Sequence, residues 1–394
     1  MKINRHYLDL PKNYLFSTVA AKARAFQEKN PGRSIIKLSI GDVSQPLPVV
    51  VTRALKKAAT EMGNAKTFRG YGLEIGYLWL REAIANFYWE QYDVVVKADE
   101  VMISDGAKSD LSNLLDIFDS HATVAMCDPV YPVYLETNLM LGRKPQFFHA
   151  TAENSFLPLP NDSISADIIY LCNPSNPTGV CYNRAQLKQW VDFAQKHHSV
   201  ILYDAAYACF VDNVDLPRSI YEIEGAERCA IEIGSLSKMA GFTGVRCGYT
   251  IVPHTLLTSD GVALNQLWQR RQATKFNGVS YIVQRGAEAV FTSAGLQAVD
   301  QNITYYRRNL KLICKTLNKL GWQYFGGIHA PYVWVRCPKG LTSWECFDYL
   351  LEKAGIVSTP GVGFGACGEN YIRLTAFNTY KNTRAACERL LSLS

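Results

Sequence analysis

One lysine stands among side chains that suit covalent and phosphate chemistry. Lys238 follows a short apolar run over residues 229–233, which predicts a buried strand. Two hydroxyls and a guanidinium flank it in the chain: Ser235, Ser237 and Arg246. A primary amine can condense with an aldehyde, and hydroxyls with a guanidinium can hold a phosphate. Taken alone, the same stretch also suits a polar loop with a solvated lysine, so it needs support from elsewhere in the chain.

A carboxylate and a phenol follow a second apolar run. Asp204 comes directly after the predicted strand over residues 200–203, where a carboxylate is costly unless it pairs with a cation or caps a helix. The protonated nitrogen of a pyridine ring is such a cation, and the carboxylate beside it lets the ring accept electrons. Tyr207 lies three residues later and could reach an oxygen on the same ring.

Turns after three other predicted strands contain residues that could bind an anion or a cofactor. Residues 104–109 open a helix with small residues, which suits an anion, although an ordinary capped helix start explains them about as well. Tyr131, in a proline-rich turn over residues 128–132, could stack on a flat cofactor or be a core tyrosine, the commoner case. Asn176 lies in a turn with two Asn-Pro steps over residues 173–179, more than a plain turn requires, and could hydrogen-bond a ring oxygen.

The predicted elements explain why these turns should meet. Six short apolar strands are predicted at residues 101–104, 122–127, 167–172, 200–203, 229–233 and 245–252, and helical segments such as residues 109–118 and 184–197 lie between them. A further short strand is predicted before them, at residues 35–40. Short runs without polar alternation, separated by helices, indicate a mostly parallel sheet covered on both faces. Ligands bind outside the carboxyl ends of such strands, where the polar turns fall. We therefore predict an α/β fold whose functional site lies at the carboxyl ends of the strands.

The rest of the chain predicts a second, smaller domain. We expect an N-terminal arm over residues 1–48, a large domain over residues 49–292 and a small α+β domain over residues 293–394, against which the arm packs. The small domain has predicted strands at residues 331–336 and 371–376, and helices at residues 296–320, 343–353 and 382–391.

Glycines in the small domain imitate a dinucleotide-binding motif. Gly363, Gly365 and Gly368 have the spacing G-x-G-x-x-G, but the residues that follow, 371–374, predict a strand where a dinucleotide site needs a helix. We interpret the glycines as a flexible loop beside the substrate. Arg373 in the following strand is either an edge-strand surface charge or, if it faces the cleft, a fork for a substrate carboxylate.

Composition excludes several classes of protein. The chain has 394 residues, is 48% hydrophobic and 19% charged, and carries a net charge of +6 without a dense Lys/Arg cluster, so we expect no nucleic-acid partner. It shows no signal peptide and no apolar run long enough to span a bilayer. Eleven cysteines without a C-x-x-C pair indicate reduced thiols, and no metal-ligand spacing appears. We expect a cytoplasmic protein without membrane contact or metal.

The order of these motifs resembles the fold-type I, pyridoxal 5'-phosphate (PLP)-dependent aminotransferases of class I/II along essentially the whole chain. Five positions are shared with that family in general: Asn176, Asp204, Lys238, Arg246 and Arg373. The stretches around Gln45, Glu74, Ala240 and Asn277 are similar to a subfamily that acts on LL-2,6-diaminopimelate. The segments that carry the resemblance are residues 41–48, 69–74, 104–108, 128–134, 240–247, 270–281 and 373–377.

The resemblance implies a role for each site residue. Lys238 would bind the PLP aldehyde and move the proton, Asp204 would pair with the ring nitrogen, and Tyr131 would stack on the ring as the third catalytic residue. Asn176 and Tyr207 would hold the ring oxygen. The phosphate would be held by the backbone at Ala107-Lys108 and by Ser235, Ser237 and Arg246, with Tyr71 from a second subunit. The substrate would contact Tyr14, Gly41, Lys108, Tyr131, Asn176 and Arg373, with two residues of the second subunit: Asn277, and Glu74, which would read the distal ammonium.

The implied activity is transamination between LL-2,6-diaminopimelate plus 2-oxoglutarate and tetrahydrodipicolinate plus glutamate, toward lysine and peptidoglycan precursors, in a homodimer with shared active sites. Met239 and the pair Ala208-Cys209 depart from the subfamily and are interpreted as packing changes. An aspartate, alanine or aromatic aminotransferase is the alternative. A PLP-binding regulator without catalysis is a third hypothesis, disfavoured because the arm before Gly41 is too short and insufficiently basic for a DNA-binding module.

Overall fold

The computed structural model describes residues 1–10 and 14–393. The strands of this part of the chain are β1 (Ile36–Lys37), β2 (Val101–Ser104), β3 (Val124–Asp128), β4 (Gln146–His149), β5 (Ile168–Cys172), β6 (Val200–Asp204), β7 (Ala230–Ser235), β8 (Gly248–Ile251), β9 (Tyr324–Gly326), β10 (Tyr332–Arg336), β11 (Ile356–Val357), β12 (Thr359–Pro360) and β13 (Tyr371–Thr375). The α-helices are α1 (Leu15–Lys29), α2 (Val49–Met62), α3 (Leu78–Tyr92), α4 (Ala107–Asn113), α5 (Pro132–Met140), α6 (Arg184–His197), α7 (Leu236–Met239), α8 (Leu264–Lys275), α9 (Tyr281–Glu288), α10 (Ser293–Lys319), α11 (Ser343–Ala354) and α12 (Tyr380–Leu391).

A seven-stranded sheet forms the centre of the molecule, in the order β2-β8-β7-β6-β5-β3-β4. Its neighbours are parallel except at β8, which pairs antiparallel with both β2 and β7. The predicted α/β class with a mostly parallel sheet is confirmed. The polar turns after β3, β5, β6 and β7 therefore lie on the same side, at the carboxyl ends of these parallel strands.

Both faces of this sheet are buried, as the apolar strand sequences require. In β5, Ile168 and Tyr170 pack into one hydrophobic cluster with residues of α4 and α5. Ile169 and Leu171, whose side chains point the other way, pack into a second cluster with Trp190 and other residues of α6. Because successive side chains of a strand alternate between faces, a strand covered on both sides must be apolar at every position.

A smaller sheet follows in the C-terminal part of the chain. Its strands are all antiparallel and run in the order β12-β13-β10-β9. The N-terminal segment joins this part through β1, which pairs parallel with β11. The long helix α10 packs against α12, and its apolar face contributes to a cluster shared with the smaller sheet. This arrangement agrees with the second, smaller unit expected from the sequence, while the boundaries at residues 48 and 292 stay a prediction.

Three details correct the sequence-based expectations. The strand expected over residues 35–40 shortens to β1, and the helix expected from residue 109 begins at Ala107 and becomes a 3-10 turn at Leu114–Ile117. Strand β4 was missed because it lies at the edge of the sheet and carries polar residues, so it lacks the apolar run of an interior strand.

The glycine-rich loop contains regular backbone structure, and its interpretation as flexible stays a prediction. It forms two short 3-10 turns, Gly361–Phe364 and Ala366–Gly368, and the side chain of Phe364 is buried. A strand, β13, follows it as expected. Among the described residues, no helix has both the length and the apolar character that crossing a membrane would demand.

Candidate active site

A cavity of about 640 Å³ opens where β6 and β7 end, between the central sheet and the smaller sheet. It brings together most of the side chains singled out in the sequence. The predicted site residues that line it are Tyr14, Gly41, Ala107, Lys108, Tyr131, Asn176, Asp204, Tyr207, Ser235, Ser237, Lys238, Arg246 and Arg373.

Lys238 lies on the single turn of helix α7, directly after β7. Its Nζ donates a hydrogen bond to the carbonyl of Gly41 and lies 5.7 Å from the centre of the Phe377 ring. The pKa of this ammonium is lowered to about 8, chiefly by burial and also by the nearby guanidinium of Arg373, while the charge of Asp42 opposes the shift. The amine therefore loses its proton much more readily than an exposed lysine does.

Asp204 ends β6 and is 5% exposed. Its carboxylate accepts hydrogen bonds from the hydroxyl of Tyr134 and from the backbone N–H of Ala206, the latter at 3.0 Å. Burial raises the pKa of this carboxyl, and the same two hydrogen bonds oppose the rise. Both donors are neutral groups, so the buried carboxylate faces the cavity with its charge uncompensated by them.

Arg373 is 1% exposed and lies in β13, an interior strand of the smaller sheet, which rules out an edge-strand surface charge. Its Nη1 donates to Oδ1 of Asn176 at 2.6 Å and its Nη2 to the carbonyl of Ser39 at 2.9 Å. The buried Nε has no hydrogen-bond partner among the described residues. The guanidinium is thus fixed in place with donor capacity left over.

A chain of phenols extends from Asn176. Its Nδ2 donates to the hydroxyl of Tyr207 at 3.5 Å, and that hydroxyl lies 2.8 Å from the hydroxyl of Tyr332. Burial raises the pKa of both phenols, so both stay protonated at neutral pH. Gly41 permits this arrangement, because a Cβ there would stand 2.5 Å from the Tyr332 hydroxyl.

An anion cradle lies where α4 begins. Gly106 has φ of 131°, and a Cβ at that position would stand 2.3 Å from Nη2 of Arg246. Nη1 of Arg246 donates to Oγ of Ser237 at 3.2 Å, and Ser235 accepts from the backbone N–H of Ser237 at 3.2 Å. A guanidinium, two hydroxyls and the first N–H groups of a helix therefore converge, as phosphate binding requires.

The outer wall of the cavity carries a cation and two further rings. Nζ of Lys108 lies 5.3 Å from the centre of the Tyr14 ring. The ring of Tyr131 meets that of Tyr134 edge to face at 5.7 Å and 88°. The ring of Tyr131 thus packs against Tyr134 and also lines the cavity.

Three predicted site residues do not line this cavity within the chain: Tyr71, Glu74 and Asn277. Tyr71 is 91% exposed, Asn277 is exposed and Glu74 is half-buried. Their two loops adjoin, because a Cβ on Gly278 would lie 3.6 Å from the Cα of Glu74. All three were expected to act in a neighbouring subunit, and that expectation stays a prediction.

Sequence reasoning missed several functional side chains. Tyr134 follows the singled-out Tyr131 by three residues, and Asp42 follows Gly41, so proximity in the chain was an available signal for both. Tyr332 and Phe377 were assigned no role, because Tyr332 reaches Tyr207, and Phe377 reaches Lys238, only through the folding of the smaller sheet.

Comparison with known proteins agrees with this geometry. The family model for aminotransferases of class I and II matches residues 33–390. The chain is 50% identical to an LL-diaminopimelate aminotransferase of Lachnospira eligens and 48% identical to one of Agathobacter rectalis, with the whole of both chains covered in each case. The L,L-diaminopimelate aminotransferase structure from Chlamydomonas reinhardtii is 40% identical, with a TM-score of 0.94, and the match covers 100% of this chain and 98% of that one.

The chain belongs to the class I and II aminotransferases. The family membership expected from the motifs is thereby confirmed, and so are the enzyme class and the cofactor: this aminotransferase is a transaminase that depends on PLP.

The residues of this aminotransferase fit PLP by three observations of the structure itself. The buried Asp204 has only neutral donors and so suits a protonated ring nitrogen. The space beside Gly106 that a Cβ would fill lies against Arg246, as a phosphate site needs. The third is Lys238, the half-buried amine of the cavity, whose pKa is depressed to about 8.

Proposed function

We propose that the protein catalyses transamination between LL-2,6-diaminopimelate plus 2-oxoglutarate and tetrahydrodipicolinate plus glutamate. The observation that carries this proposal is identity of 50% over the full length to a relative named for LL-diaminopimelate. The cavity supports it, because the guanidinium of Arg373 and the ammonium of Lys108 both line it and a diaminopimelate has two carboxylates. The proposed place of the reaction is lysine and peptidoglycan precursor synthesis.

PLP would be held on four sides by this chain. Asp204 would keep a proton on the ring nitrogen, Asn176 and Tyr207 would orient the ring oxygen, and Tyr131 would cover one face of the ring. The cradle formed by the backbone at Ala107 and Lys108 and by the side chains of Ser235, Ser237 and Arg246 would hold the phosphate. When bound, PLP supplies an aldehyde carbon that takes up the amino group and a ring that accepts the electron pair freed at the substrate's α-carbon.

Lys238 would carry the proton. With a pKa of about 8 its Nζ can act as a neutral amine that removes the α-proton and as an ammonium that returns one, which is general acid–base catalysis near the working pH. The carbonyl of Gly41 accepts a hydrogen bond from this Nζ and so positions the amine in the cavity.

Arg373 would bind the carboxylate next to the reacting amino group. Asn176 and Ser39 each accept from one terminal nitrogen of its guanidinium, so the plane of the fork is set before substrate arrives. Prior fixation of the donor reduces the entropy lost on binding. Lys108 would meet the second carboxylate, beside Tyr14 and Gly41.

We infer a homodimer in which Tyr71, Glu74 and Asn277 complete the neighbouring subunit's site. Support comes from the exposure of Tyr71 and Asn277 and from the adjoining of the two loops that carry these residues. Mixing K238A subunits with Y71A subunits tests this arrangement. In each hybrid dimer, one site would combine Lys238 of the Y71A subunit with Tyr71 of the K238A subunit. Restored turnover on mixing is expected, and none is expected if Tyr71 acts within its own chain.

Two further proposals concern organisation. We infer the division into an arm (residues 1–48), a large domain (49–292) and a small domain (293–394), which places the cavity between the two sheets. We also infer a cytoplasmic enzyme, supported by cysteines that are all free in the described residues. Limited proteolysis, with cleavage expected near residues 48 and 292, tests the domain division. Cell fractionation tests the cytoplasmic location.

A panel of amino donors tests the proposed substrate. Initial rates of holoenzyme with 2-oxoglutarate are compared for LL-diaminopimelate, meso-diaminopimelate, aspartate, alanine and an aromatic amino acid. We expect kcat/KM for LL-diaminopimelate to exceed that for the single-ammonium donors by at least about 100-fold, since a site built for a second charged group rejects a ligand that lacks it. Equal values with aspartate would overturn the substrate assignment but leave the transaminase assignment intact.

A further inference from the structure

Three side chains outside the catalytic cavity converge on one point. Asp128 ends β3, His149 ends β4 and Cys367 lies in the 3-10 turn Ala366–Gly368. One potential ligand atom from each lies within 4.8 Å of the other two. Nδ1 of His149 is 3.3 Å from Sγ of Cys367. None of the three lines the catalytic cavity, so the established activity does not account for them.

The fold brings these residues together through two fixed relationships. Strands β3 and β4 are parallel neighbours, and Asp128 and His149 are register partners at their carboxyl ends. The turn with Cys367 is fastened to the same strand end, because the backbone N–H of Val130 donates to the carbonyl of Phe364 at 2.8 Å and the N–H of Cys367 donates to Oδ1 of Asp128 at 3.2 Å.

Gly365 makes this close approach possible. Its φ is 137°, a backbone conformation that favours glycine, and a Cβ there would stand 1.9 Å from Oδ1 of Asp128. The turn therefore packs directly against the Asp128 carboxylate, which brings the Cys367 thiol close to the His149 imidazole. The position of the thiol follows from backbone geometry and does not depend on a long, freely rotating side chain.

We propose that Asp128, His149 and Cys367 form a binding site for a divalent transition metal of the zinc type, with water as a fourth ligand. Thiolate, imidazole and carboxylate together favour Zn²⁺ and related ions, whereas Mg²⁺ and Ca²⁺ require oxygen ligands. Bonds of about 2.0–2.3 Å in a tetrahedron place neighbouring ligand atoms roughly 3.3–3.6 Å apart, which the His149–Cys367 distance of 3.3 Å already approaches.

The three side chains of this site differ in their exposure to solvent. Asp128 is buried, Cys367 is half-buried and His149 is exposed, so an ion can enter from the His149 side and retain its water there. On binding, the thiol gives up its proton to solvent and the metal–sulfur bond forms without any change of oxidation state. The occupied site would tie the C-terminal turn to the central sheet.

A purely structural arrangement is the competing explanation. Asp128 already accepts the N–H of Cys367, and that bond alone could fasten the turn with His149 and Cys367 as incidental neighbours. The two explanations differ in the role of the Cys367 thiol and the His149 imidazole. Only a metal site requires both of them.

Metal titration of the holoenzyme distinguishes these explanations. Holoenzyme freed of metal with a chelator is titrated with Co²⁺, and a thiolate-to-cobalt charge-transfer band is followed to saturation; Zn²⁺ is then used to displace the cobalt. We expect one ion per chain, loss of the charge-transfer band in C367S, and Zn²⁺ affinity weakened at least about tenfold in both C367S and H149N. The matched controls C314S and H254N, at a half-buried cysteine and a histidine elsewhere in the chain, should behave as wild type.

A stability measurement accompanies the titration. Zn²⁺ should raise the melting temperature of wild type and of both controls, and should raise that of C367S and H149N clearly less. The metal-free melting temperatures of C367S and H149N should match that of wild type, because both side chains are at the surface side of the site. Absence of saturable binding to wild type would overturn the proposal, as would a charge-transfer band retained in C367S or Zn²⁺ affinity retained in H149N.

Discussion

The guanidinium of Arg373 donates a 2.6 Å hydrogen bond to the side-chain oxygen of Asn176. Arg373 belongs to the smaller sheet, and Asn176 follows β5 of the central sheet, so this bond crosses the cavity between the two parts of the chain. Asn176 in turn donates to Tyr207. The group proposed to bind the substrate carboxylate is therefore linked directly to the groups proposed to orient the cofactor ring.

Replacement of Arg373 by lysine should lower kcat/KM for LL-diaminopimelate by about 10- to 100-fold, mainly through KM. The charge is kept, but the fork that meets Asn176 and Ser39 is lost, and a hydrogen bond to a charged group contributes about 1.5–3 kcal/mol. Steady-state kinetics provides the measurement. R336K, at an exposed arginine of the neighbouring strand β10, is the control; comparable losses in the two variants would refute the role of the fork.

Replacement of Tyr134 by phenylalanine should weaken PLP binding and lower kcat by about 10- to 100-fold. The Tyr134 hydroxyl donates to the Asp204 carboxylate and holds its pKa down against burial, so its removal should raise that pKa further. The carboxylate is then less available at lower pH, and the defect should grow as pH falls. PLP titration of the apoenzyme and kcat against pH are the measurements.

Y182F provides the control for this change. The Tyr182 hydroxyl is also buried, but it donates to the carbonyl of Pro158 away from the catalytic cavity. Its removal should leave PLP affinity and the pH profile unchanged. A Y134F enzyme whose defect is independent of pH would argue against the proposed control of Asp204.

Replacement of Asp42 by asparagine should lower the pKa of Lys238 below its value of about 8. The Asp42 charge raises that pKa against burial, so its loss favours the neutral amine at lower pH. Because only the neutral amine attacks an aldehyde, the midpoint of the pH dependence of PLP recombination with apoenzyme should move toward acid. D300N, at an exposed aspartate of α10, should not move it; a shift toward alkali in D42N would contradict the electrostatic account.

Replacement of Gly106 by alanine should reduce PLP affinity by at least about tenfold. A Cβ there would stand 2.3 Å from Nη2 of Arg246 and would push the guanidinium out of the phosphate cradle. G261A is the matched control, since Gly261 also has positive φ, at 85°, but nothing lies within 4 Å of its Cβ position. Equal losses of affinity would assign the effect to backbone strain, which costs roughly 1 kcal/mol, and not to the cradle.

The central sheet could be predicted because its strands are buried on both faces and so appear as uninterrupted apolar runs. The site could be predicted because Asn176, Asp204 and Lys238 each follow such a run, and parallel strands end at one edge. Strand β4 escaped prediction because an edge strand with Gln146 and His149 lacks this signature.

Contacts between distant segments set the limit of the sequence-based prediction. Tyr332 reaches Tyr207, and Arg373 reaches Asn176, only through the folding of the smaller sheet against the central one. Asp128, His149 and Cys367 lie in three separate segments, so no motif spacing could reveal their convergence, and the sequence predicted no metal. The roles of Tyr71, Glu74 and Asn277 stay predictions, since they require a second subunit.

Borohydride reduction of the holoenzyme followed by peptide mass mapping tests the central claim most directly. Lys37, Lys108 and Lys238 all line the cavity, but Lys238 alone is half-buried with a pKa near 8, while Lys37 and Lys108 are exposed. The reduced cofactor should add its mass to the peptide that contains Lys238, and prior incubation with LL-diaminopimelate should abolish that addition. Attachment of the cofactor to Lys37 or Lys108, or to no lysine at all, would contradict the account.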